Sequence, residues 1–283
     1  MSKVIHISFL LVLIFFSSCL RSDPEKIFIH TDNSPDFDVY RGFHKGTVSL
    51  SAASNLIALN VLENIEFEYM PLKRSMAFMR RGMPICVLDK IKTDERLGRY
   101  LFSLPVNVYF SRRLYQQRGL PELNQATVDI VKLLRTYSEK KILLTSQISY
   151  GELLDKQITL IPDKQKVMRT SSAHASGLIE MFVRGRAEYA LFYPQELHEL
   201  GTPNLGRSYA IDGIEPYVIG YIMCNKTQRM VDVVENINRN LRELFRSGEM
   251  LELHLARVGN MEVDIFKQYY LQVLKVHNIL IDE

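Results

Sequence analysis

Two arginines stand where a guanidinium group would be suited to bind a carboxylate. Arg96 closes the segment Thr93-Asp94-Glu95-Arg96, and Arg74 lies near the start of a segment with helical spacing. A guanidinium presents a planar fork of N–H donors, which fits a carboxylate with two charge-assisted hydrogen bonds. Each arginine has an ordinary alternative role. Arg96 could pair with Glu95 or Asp94 on a solvated helix, and Arg74 could form a salt bridge that points away from the cleft.

Ser149 and Tyr150 form a second candidate anion site. They follow a strand predicted at Ile142–Thr145 and open a predicted helix. The N–H groups at a helix N-terminus favour anions, so this position suits a carboxylate of a ligand. Ser149 is equally suited to act only as the cap of that helix.

The chain carries no recognisable catalytic or metal-binding motif. Its seven histidines show no H-E-x-x-H spacing, and the sequence has no G-x-S-x-G, P-loop or G-x-G-x-x-G. Cys86 and Cys224 have no CxxC spacing. Glu188 and His30 are of the right type for a general acid or base, but no motif marks them. We therefore expect no catalytic residues, no metal and no cofactor.

Composition indicates a globular protein that does not bind nucleic acid. The 283 residues are 47% hydrophobic and 24% charged, which suits one large domain or two modest ones. The net charge is +3, and no long run of like charges occurs. This small excess gives no electrostatic footprint for nucleic acid.

The N-terminus predicts export from the cytoplasm. Lys3 precedes an apolar run over 7–16 that is too short to span a membrane, and small residues follow it. We expect residues 1–19 to be a signal peptide and the protein to lie in the periplasm or cell envelope. The run Phe16-Ser17-Ser18-Cys19 resembles a bacterial lipobox, although Phe16 replaces the usual Leu. Cys19 is therefore a candidate for lipidation, with ordinary cleavage beside it as the alternative.

Strand and helix patterns alternate in two successive runs. The strands are predicted at 26–30, 65–70, 85–88, 101–110, 142–145, 158–161, 189–192 and 217–224, and the helices at 49–62, 74–81, 93–99, 149–155, 173–183 and 228–246. Residues 31–36 look like a turn, and 261–283 like an amphipathic helix that packs on the first lobe or binds a partner. Such alternation predicts mainly parallel sheets with helices on both faces, and a ligand crevice at the carboxyl ends of the strands.

Four stretches of this sequence resemble type II periplasmic solute-binding proteins of the group that includes polar amino-acid binding proteins. They are Pro71-Leu72-Lys73-Arg74 with Gly82, Thr93-Asp94-Glu95-Arg96 with Phe102-Ser103-Leu104-Pro105, Lys140-Lys141-Ile142 with Ser149-Tyr150-Gly151-Glu152-Leu153-Leu154, and Gly185-Arg186-Ala187-Glu188-Tyr189-Ala190. The second of these, T-x-E-R followed by F-S-x-P, is the most specific. The likeness runs from about residue 26 to 258.

The resemblance implies an α/β fold with two lobes, each a mainly parallel sheet flanked by helices. One lobe would hold residues 24–107 and 217–283, and the other 108–216. The two crossings, near 105–110 and 213–218, would form a hinge that closes on a ligand. The same topology would place Cys86 and Cys224 on neighbouring strands, which suggests a disulfide between them.

The resemblance also implies roles for single residues. Arg96 would grip a ligand carboxylate, Thr93 would add a hydroxyl beside it, and Glu188 would receive an amino group. The candidate ligand-binding residues are Asp32, Phe37, Tyr40, Arg74, Thr93, Arg96, Ser149, Tyr150, Glu188 and Phe192, and the aromatic residues Phe110 and Tyr193 also fall near the cleft. Each has an alternative as a helix cap, a surface charge or a core side chain. The family usually has a glycine before the position of Ser149, and this chain does not. Without that glycine, the backbone is less suited to approach a ligand closely here.

The sequence thus predicts a monomeric, exported protein that captures a small, carboxylate-bearing, amino-acid-like ligand between two lobes. It would deliver this ligand to a membrane transporter or a membrane sensor. Two alternatives remain open: a degenerate receptor that binds a protein partner, and a dehydratase-type enzyme of the kind found among relatives with this fold.

Overall fold

A computed structural model of the protein describes residues 26–43, 48–146, 148–170, 175–259 and 262–279. The predicted signal peptide and Cys19 lie outside the described residues, and so does Gln147. Within the described ranges, no helix combines the length and the apolar character that a membrane span requires.

The helices and strands alternate along most of the chain. The strands are β1 Ile27–Thr31, β2 Ile65–Tyr69, β3 Ile85–Lys90, β4 Tyr100–Phe102, β5 Asn107–Phe110, β6 Arg113–Gln116, β7 Thr127–Val128, β8 Ile142–Thr145, β9 Lys166–Arg169, β10 Tyr189–Phe192, β11 Arg207–Ile211 and β12 Tyr217–Asn225. The helices are α1 Ser34–Tyr40, α2 Leu50–Leu59, α3 Leu72–Arg80, α4 Asp94–Leu97, α5 Ile130–Thr136, α6 Glu152–Thr159, α7 Ala175–Val183, α8 Pro194–Glu199, α9 Gln228–Ser247, α10 Glu249–Leu255 and α11 Val263–Val276.

The strands form two separate sheets, each flanked by helices, which confirms the predicted α/β fold class. In the first sheet the order is β2-β1-β3-β12-β4, with β5 paired to β12. In the second it is β7-β11-β6-β10-β8-β9. We call the body around the first sheet lobe 1 and the body around the second lobe 2. Both sheets are mixed, because β12 runs antiparallel to its neighbours in lobe 1 and β6 does so in lobe 2. The prediction of a mainly parallel sheet is wrong for lobe 1, where β12 forms three antiparallel pairings and only two pairings are parallel.

The chain passes between the lobes twice, and the two crossings lie side by side. Strand β5 pairs antiparallel with the start of β12, where Phe110 faces Tyr217. The ladder continues as Ser111 N–H donates to the carbonyl of Pro216 at 2.9 Å. Strand β5 therefore extends lobe 1 to Phe110, beyond the predicted boundary at residue 107.

Local sequence explains why the elements nearest the crevice begin where they do. The hydroxyl of Ser49 accepts from Ala52 N–H at 3.0 Å and caps α2. Thr93 caps α4 in the same way, accepting from Arg96 N–H at 3.4 Å. Helix α9 ends at Gly248, whose φ of 82° is the left-handed conformation that glycine adopts most easily.

Two predictions of secondary structure are wrong. The strand predicted at 158–161 is the last turn of α6 and the residues after it; Ile161 is buried and Ile158 packs against the same core. A short apolar run fits a buried helix end as well as a strand. The stretch 31–36, predicted as a turn, contains the start of α1, with Pro35 in the first helical turn, where proline is tolerated.

The C-terminal helix α11 packs on lobe 1. Its residues Phe266, Tyr270, Val273 and Leu274 are buried in the same core as β1 and α9. In that core, Cys86 on β3 stands directly opposite Cys224 on β12, and the two form a disulfide bond. The bond joins residues 138 positions apart.

We expect this disulfide to contribute to stability and to leave no free thiol at these positions. Closing a loop of this length restricts the unfolded chain, so reduction should lower the free energy of unfolding by about 2–5 kcal/mol. Thiol titration of the denatured, unreduced Cys19→Ala protein should detect no thiol, and reduction should release two. Two thiols before reduction would contradict the disulfide. Adding Cys86→Ala to the Cys19→Ala protein leaves Cys224 as the single thiol and gives the reference signal of one.

Candidate functional site

A cavity of about 320 Å³ lies between the two lobes, at the carboxyl ends of several strands. In lobe 1 it is lined by residues that follow β1 and β3 and by the start of α2, including Asp32, Ile91 and Ser49. Lobe 2 and the crossing contribute Arg112, Ile148, Ser149, Tyr193, Glu196 and Glu199. A crevice with apolar walls and a few polar groups is the usual form of a small-molecule site.

Arg96 lines this cavity from lobe 1. The arginine is half-buried, and its Nη1 atom donates to the carbonyl of Ile91 at 2.9 Å. Burial lowers the pKa of its guanidinium. None of the described carboxylates forms an ion pair with it; Glu95 instead approaches Arg99 at 3.6 Å. The solvated pairing with Asp94 or Glu95 is therefore not what the structure shows, and the charge of Arg96 is available to a ligand.

Asp32 also lines the cavity, but its charge is already matched. Its carboxylate accepts from the ammonium group of Lys90 at 2.9 Å, and Lys90 is largely buried. A ligand that entered here would meet a neutral pair rather than a free anion. Asp32 is thus placed to accept hydrogen bonds without adding net charge.

The predicted anion site at the start of α6 is filled by the chain itself. The carboxylate of Asp155 accepts from the hydroxyl of Ser149 at 2.6 Å and from the backbone N–H of Tyr150 at 2.8 Å. Ser149 still lines the cavity, whereas the Tyr150 hydroxyl accepts from Thr145 N–H at 2.6 Å. Since Asp155 occupies these donors, this helix end is not free to bind a ligand carboxylate.

Several residues predicted at the site lie away from the cavity. These are Phe37, Tyr40, Arg74, Thr93, Tyr150, Glu188 and Phe192. Arg74 is exposed on α3, with its guanidinium 5.5 Å from the ring centre of Phe78. Glu188 instead accepts from Lys141 N–H at 2.8 Å, and Phe192 is 1% exposed in the core of lobe 2.

The aromatic candidates Phe37 and Tyr40 lie on α1 and pack against β2 of lobe 1. Tyr40 stacks on Phe67 with ring centres 4.6 Å apart, and Phe37 contacts Tyr69 at 6.2 Å. Phe192 is the last residue of β10 and is buried in the core of lobe 2, whereas Tyr193, the N-cap of α8, lines the cavity.

Arg112 is a site residue that no sequence pattern indicated. It follows β5 at the crossing, and its guanidinium lies 4.5 Å from the ring centre of Tyr150 and 4.2 Å from that of Tyr193. Tyr193 in turn stacks on Tyr109 at 5.7 Å. The stack depends on three segments that are far apart in sequence, which is why sequence spacing could not reveal it.

Three acids, of which Asp36 is buried and Asp89 and Glu196 are half-buried, form a second feature of the cavity wall. Burial raises the pKa of Asp36 to about 6 and also raises the pKa values of Asp89 and Glu196. The Ser49 hydroxyl donates to Asp36 at 2.7 Å, and Ser51 donates to Asp89. These carboxyls suit a ligand group that is cationic or donates hydrogen bonds. Among the described residues, no cluster of His, Cys, Asp or Glu is arranged to hold a metal ion.

The two lobes also contact one another directly through α8. Glu199 accepts from the backbone N–H of Leu50, at the start of α2 in lobe 1, at 2.8 Å. Arg257 of lobe 1 approaches the same carboxylate at 3.8 Å and donates to the carbonyl of Val48 at 2.9 Å. Burial raises the pKa of Glu199 to about 7. We call this contact the interlobe latch.

Comparison with known proteins identifies the fold. No protein-family profile matches the chain, and no curated protein matches it by sequence. Among solved structures, an amino-acid ABC transporter substrate-binding protein of Streptococcus pneumoniae bound to L-arginine is 16% identical, over 81% of this chain and 92% of that one, with a TM-score of 0.59. A protein of glutathione import in Streptococcus mutans is 14% identical, over 82% and 94%, with a TM-score of 0.59.

A third similar structure is a histidine kinase sensor domain with similarity to periplasmic binding proteins. It is 13% identical, over 83% of this chain and 96% of that one, with a TM-score of 0.59. The chain therefore has the two-lobed fold of type II periplasmic binding proteins, as the resemblance implied. At these identities the likeness establishes the fold alone.

Replacing Glu199 by Gln should make the free energy of unfolding less dependent on pH. A pKa of about 7 in the folded protein exceeds the usual value of 4.5, so the folded state holds a proton that the unfolded chain releases. This carboxyl therefore makes wild-type stability fall as pH rises from about 5 to 7. Glutamine keeps the oxygen that accepts from Leu50 but does not titrate.

Urea unfolding between about pH 5 and pH 8 measures the difference. The free energy of unfolding of the variant, relative to that of the wild type, should rise by on the order of 1–3 kcal/mol from the low to the high end of this range. Glu180→Gln, on the exposed face of α7, controls for the loss of one negative charge. If both variants give the same pH dependence, burial of Glu199 is not the cause.

Proposed function

We propose that this protein captures a small, carboxylate-bearing solute between its lobes and presents it to a membrane transporter or a membrane sensor. The observation that carries the proposal is Arg96, a half-buried guanidinium that lines the cavity and pairs with none of the described carboxylates. A charge kept out of bulk water without a partner costs free energy, and a ligand carboxylate would supply the missing partner.

The crossing between the lobes supports capture by closure. Strands β5 and β12 join the lobes side by side, and two adjacent connections favour a hinge motion over independent movement of the lobes. The cavity has walls from both lobes, so closure would surround a ligand and opening would release it. Export and anchoring through Cys19 remain proposals from the sequence.

The similar structures support solute binding and leave the downstream partner open. One of them is bound to L-arginine, and another belongs to glutathione import. A third is a sensor domain of a histidine kinase. An amino-acid-like ligand suits this cavity, because Arg96 would bind its carboxylate and the acids of the cavity wall would bind its ammonium group.

A dehydratase-type reaction is the second candidate, and Asp36 is the observation that favours it. Its carboxyl lines the cavity and has a pKa of about 6, which suits a general acid near neutral pH. Glu188 and His30, the acid–base candidates from the sequence, do not line the cavity; His30 bonds to Ser75 and Glu68. Chemical analysis of the bound solute after long incubation distinguishes binding from turnover.

Replacing Arg96 by Gln should abolish stabilisation by a carboxylate ligand. A thermal-shift screen of amino acids, small carboxylates and peptides identifies the ligand, which at about 100 times its Kd adds roughly 2.7 kcal/mol of stability. Loss of the charged fork should weaken binding by at least about 10-fold in calorimetric titration. Retained affinity in Arg96→Gln would remove the basis of the proposed function.

Arg99→Gln is the matched control for this substitution. Arg99 lies on the exposed surface just after α4 and approaches Glu95 at 3.6 Å, away from the cavity. It should bind the ligand as the wild type does. If the wild type responds to none of the small ligands but binds a protein partner, the degenerate receptor is favoured.

A further inference from the structure

Arg112 lines the cavity, is held in place by two aromatic rings and has one N–H donor group without a partner. The rings of Tyr150 and Tyr193 lie on the guanidinium at 4.5 and 4.2 Å. Its Nη1 atom is buried and forms no hydrogen bond with the described residues. Cation–π contacts satisfy the faces of a guanidinium, but they leave the N–H groups on its edge unsatisfied.

Arg112 has acids in its surroundings, Glu196 and Asp155, but it forms no direct ion pair with the described residues. Of these two acids, Glu196 lines the same cavity. Burial by itself lowers the pKa of Arg112, and the surrounding tyrosines and acids outweigh that effect, so the pKa is raised. The guanidinium therefore stays charged, and a buried charge without a hydrogen-bonding partner is costly.

Arg96 and Arg112 reach the cavity from different parts of the molecule. Arg96 belongs to α4 of lobe 1, whereas Arg112 follows β5 and is packed by two tyrosines of lobe 2. The third cation of the cavity, Lys90, is already paired with Asp32. Two guanidinium groups of the cavity wall thus form no ion pair with the described residues, and each is held mainly by a different lobe.

We propose that Arg112 binds a second carboxylate of the ligand, so that the solute is a dicarboxylate of the acidic amino-acid type. This inference rests on the proposed function and specifies its ligand. Arg96 takes one carboxylate and Arg112 the other. The acids Asp36 and Asp89 line the same cavity and receive the ammonium group, which balances part of the added negative charge.

The test compares each acid with its uncharged amide of the same shape. Wild-type protein is titrated calorimetrically with L-aspartate and L-asparagine, with L-glutamate and L-glutamine, and with L-2-aminoadipate and its amide. At least one acid should bind about 10-fold or more tightly than its amide, since a charge-assisted fork is stronger than a neutral hydrogen bond. Arg112→Gln should reduce that acid to the affinity of its amide and leave the amide within about 3-fold.

Two further variants separate binding from folding. Arg113→Gln removes the neighbouring arginine, which bonds to Ser208 on β11 away from the cavity, and should keep the preference for the acid. Arg112→Lys keeps the charge without the planar fork and should retain part of the preference. Thermal unfolding of each variant without ligand reports its stability.

The outcomes distinguish the inference from the proposed function. If the wild type binds a monocarboxylate, an amide or L-arginine at least as well as every acid, the second carboxylate site is wrong and solute capture stands. The same conclusion follows if Arg112→Gln weakens an acid and its amide equally. If no carboxylate of any kind binds, both proposals fail.

Discussion

The cleft keeps two guanidinium groups away from bulk water without giving either of them an acidic partner. This is costly for the folded protein, because a desolvated charge loses its hydration and here gains no ion pair in return. Two other cations beside the cleft do form ion pairs, Lys90 with Asp32 and Arg257 with Glu199. The exceptions therefore mark the place where an external anion would complete the structure.

The fold determines where these two charges stand. Arg96 is fixed by a short helix that Thr93 caps after β3, and Arg112 by the strand β5 that runs into the crossing. Strand β12 pairs with both β3 and β5 and is joined to β3 by the Cys86–Cys224 disulfide. Strand β3, which precedes Arg96, and strand β5, which precedes Arg112, therefore belong to one sheet. A hinge motion between the lobes would have to occur after β5 in the chain.

Sequence patterns predicted many of the helices and strands, because these depend on neighbours in sequence, but not several short elements such as β6, β9 and α8. Arg96 was predicted because the segment Thr93-Asp94-Glu95-Arg96 resembles that of solute-binding proteins and a guanidinium suits a carboxylate, and the structure places it in the cavity wall. Glu188 was assigned to the cleft from a family motif and Phe192 from its position at a predicted strand end. The structure buries Phe192 in the core of lobe 2, and the residue after β10, Tyr193, lines the cavity. Arg112 could not be predicted, because its environment comes from Tyr150 and Tyr193, which only the fold brings together.

The arrangement of the arginines bears on how binding would be coupled to closure. A ligand shifts a conformational equilibrium only by the difference in its affinity for the two states. A solute held by Arg96 alone would bind the open and closed forms almost equally. A solute that reaches Arg96 and Arg112 together gains its second contact only when the walls are close, so that contact favours closure. The interlobe latch at Glu199 and Leu50 joins the two lobes in this structure, so it would favour a form in which they are close and leave the ligand a smaller difference in free energy to supply.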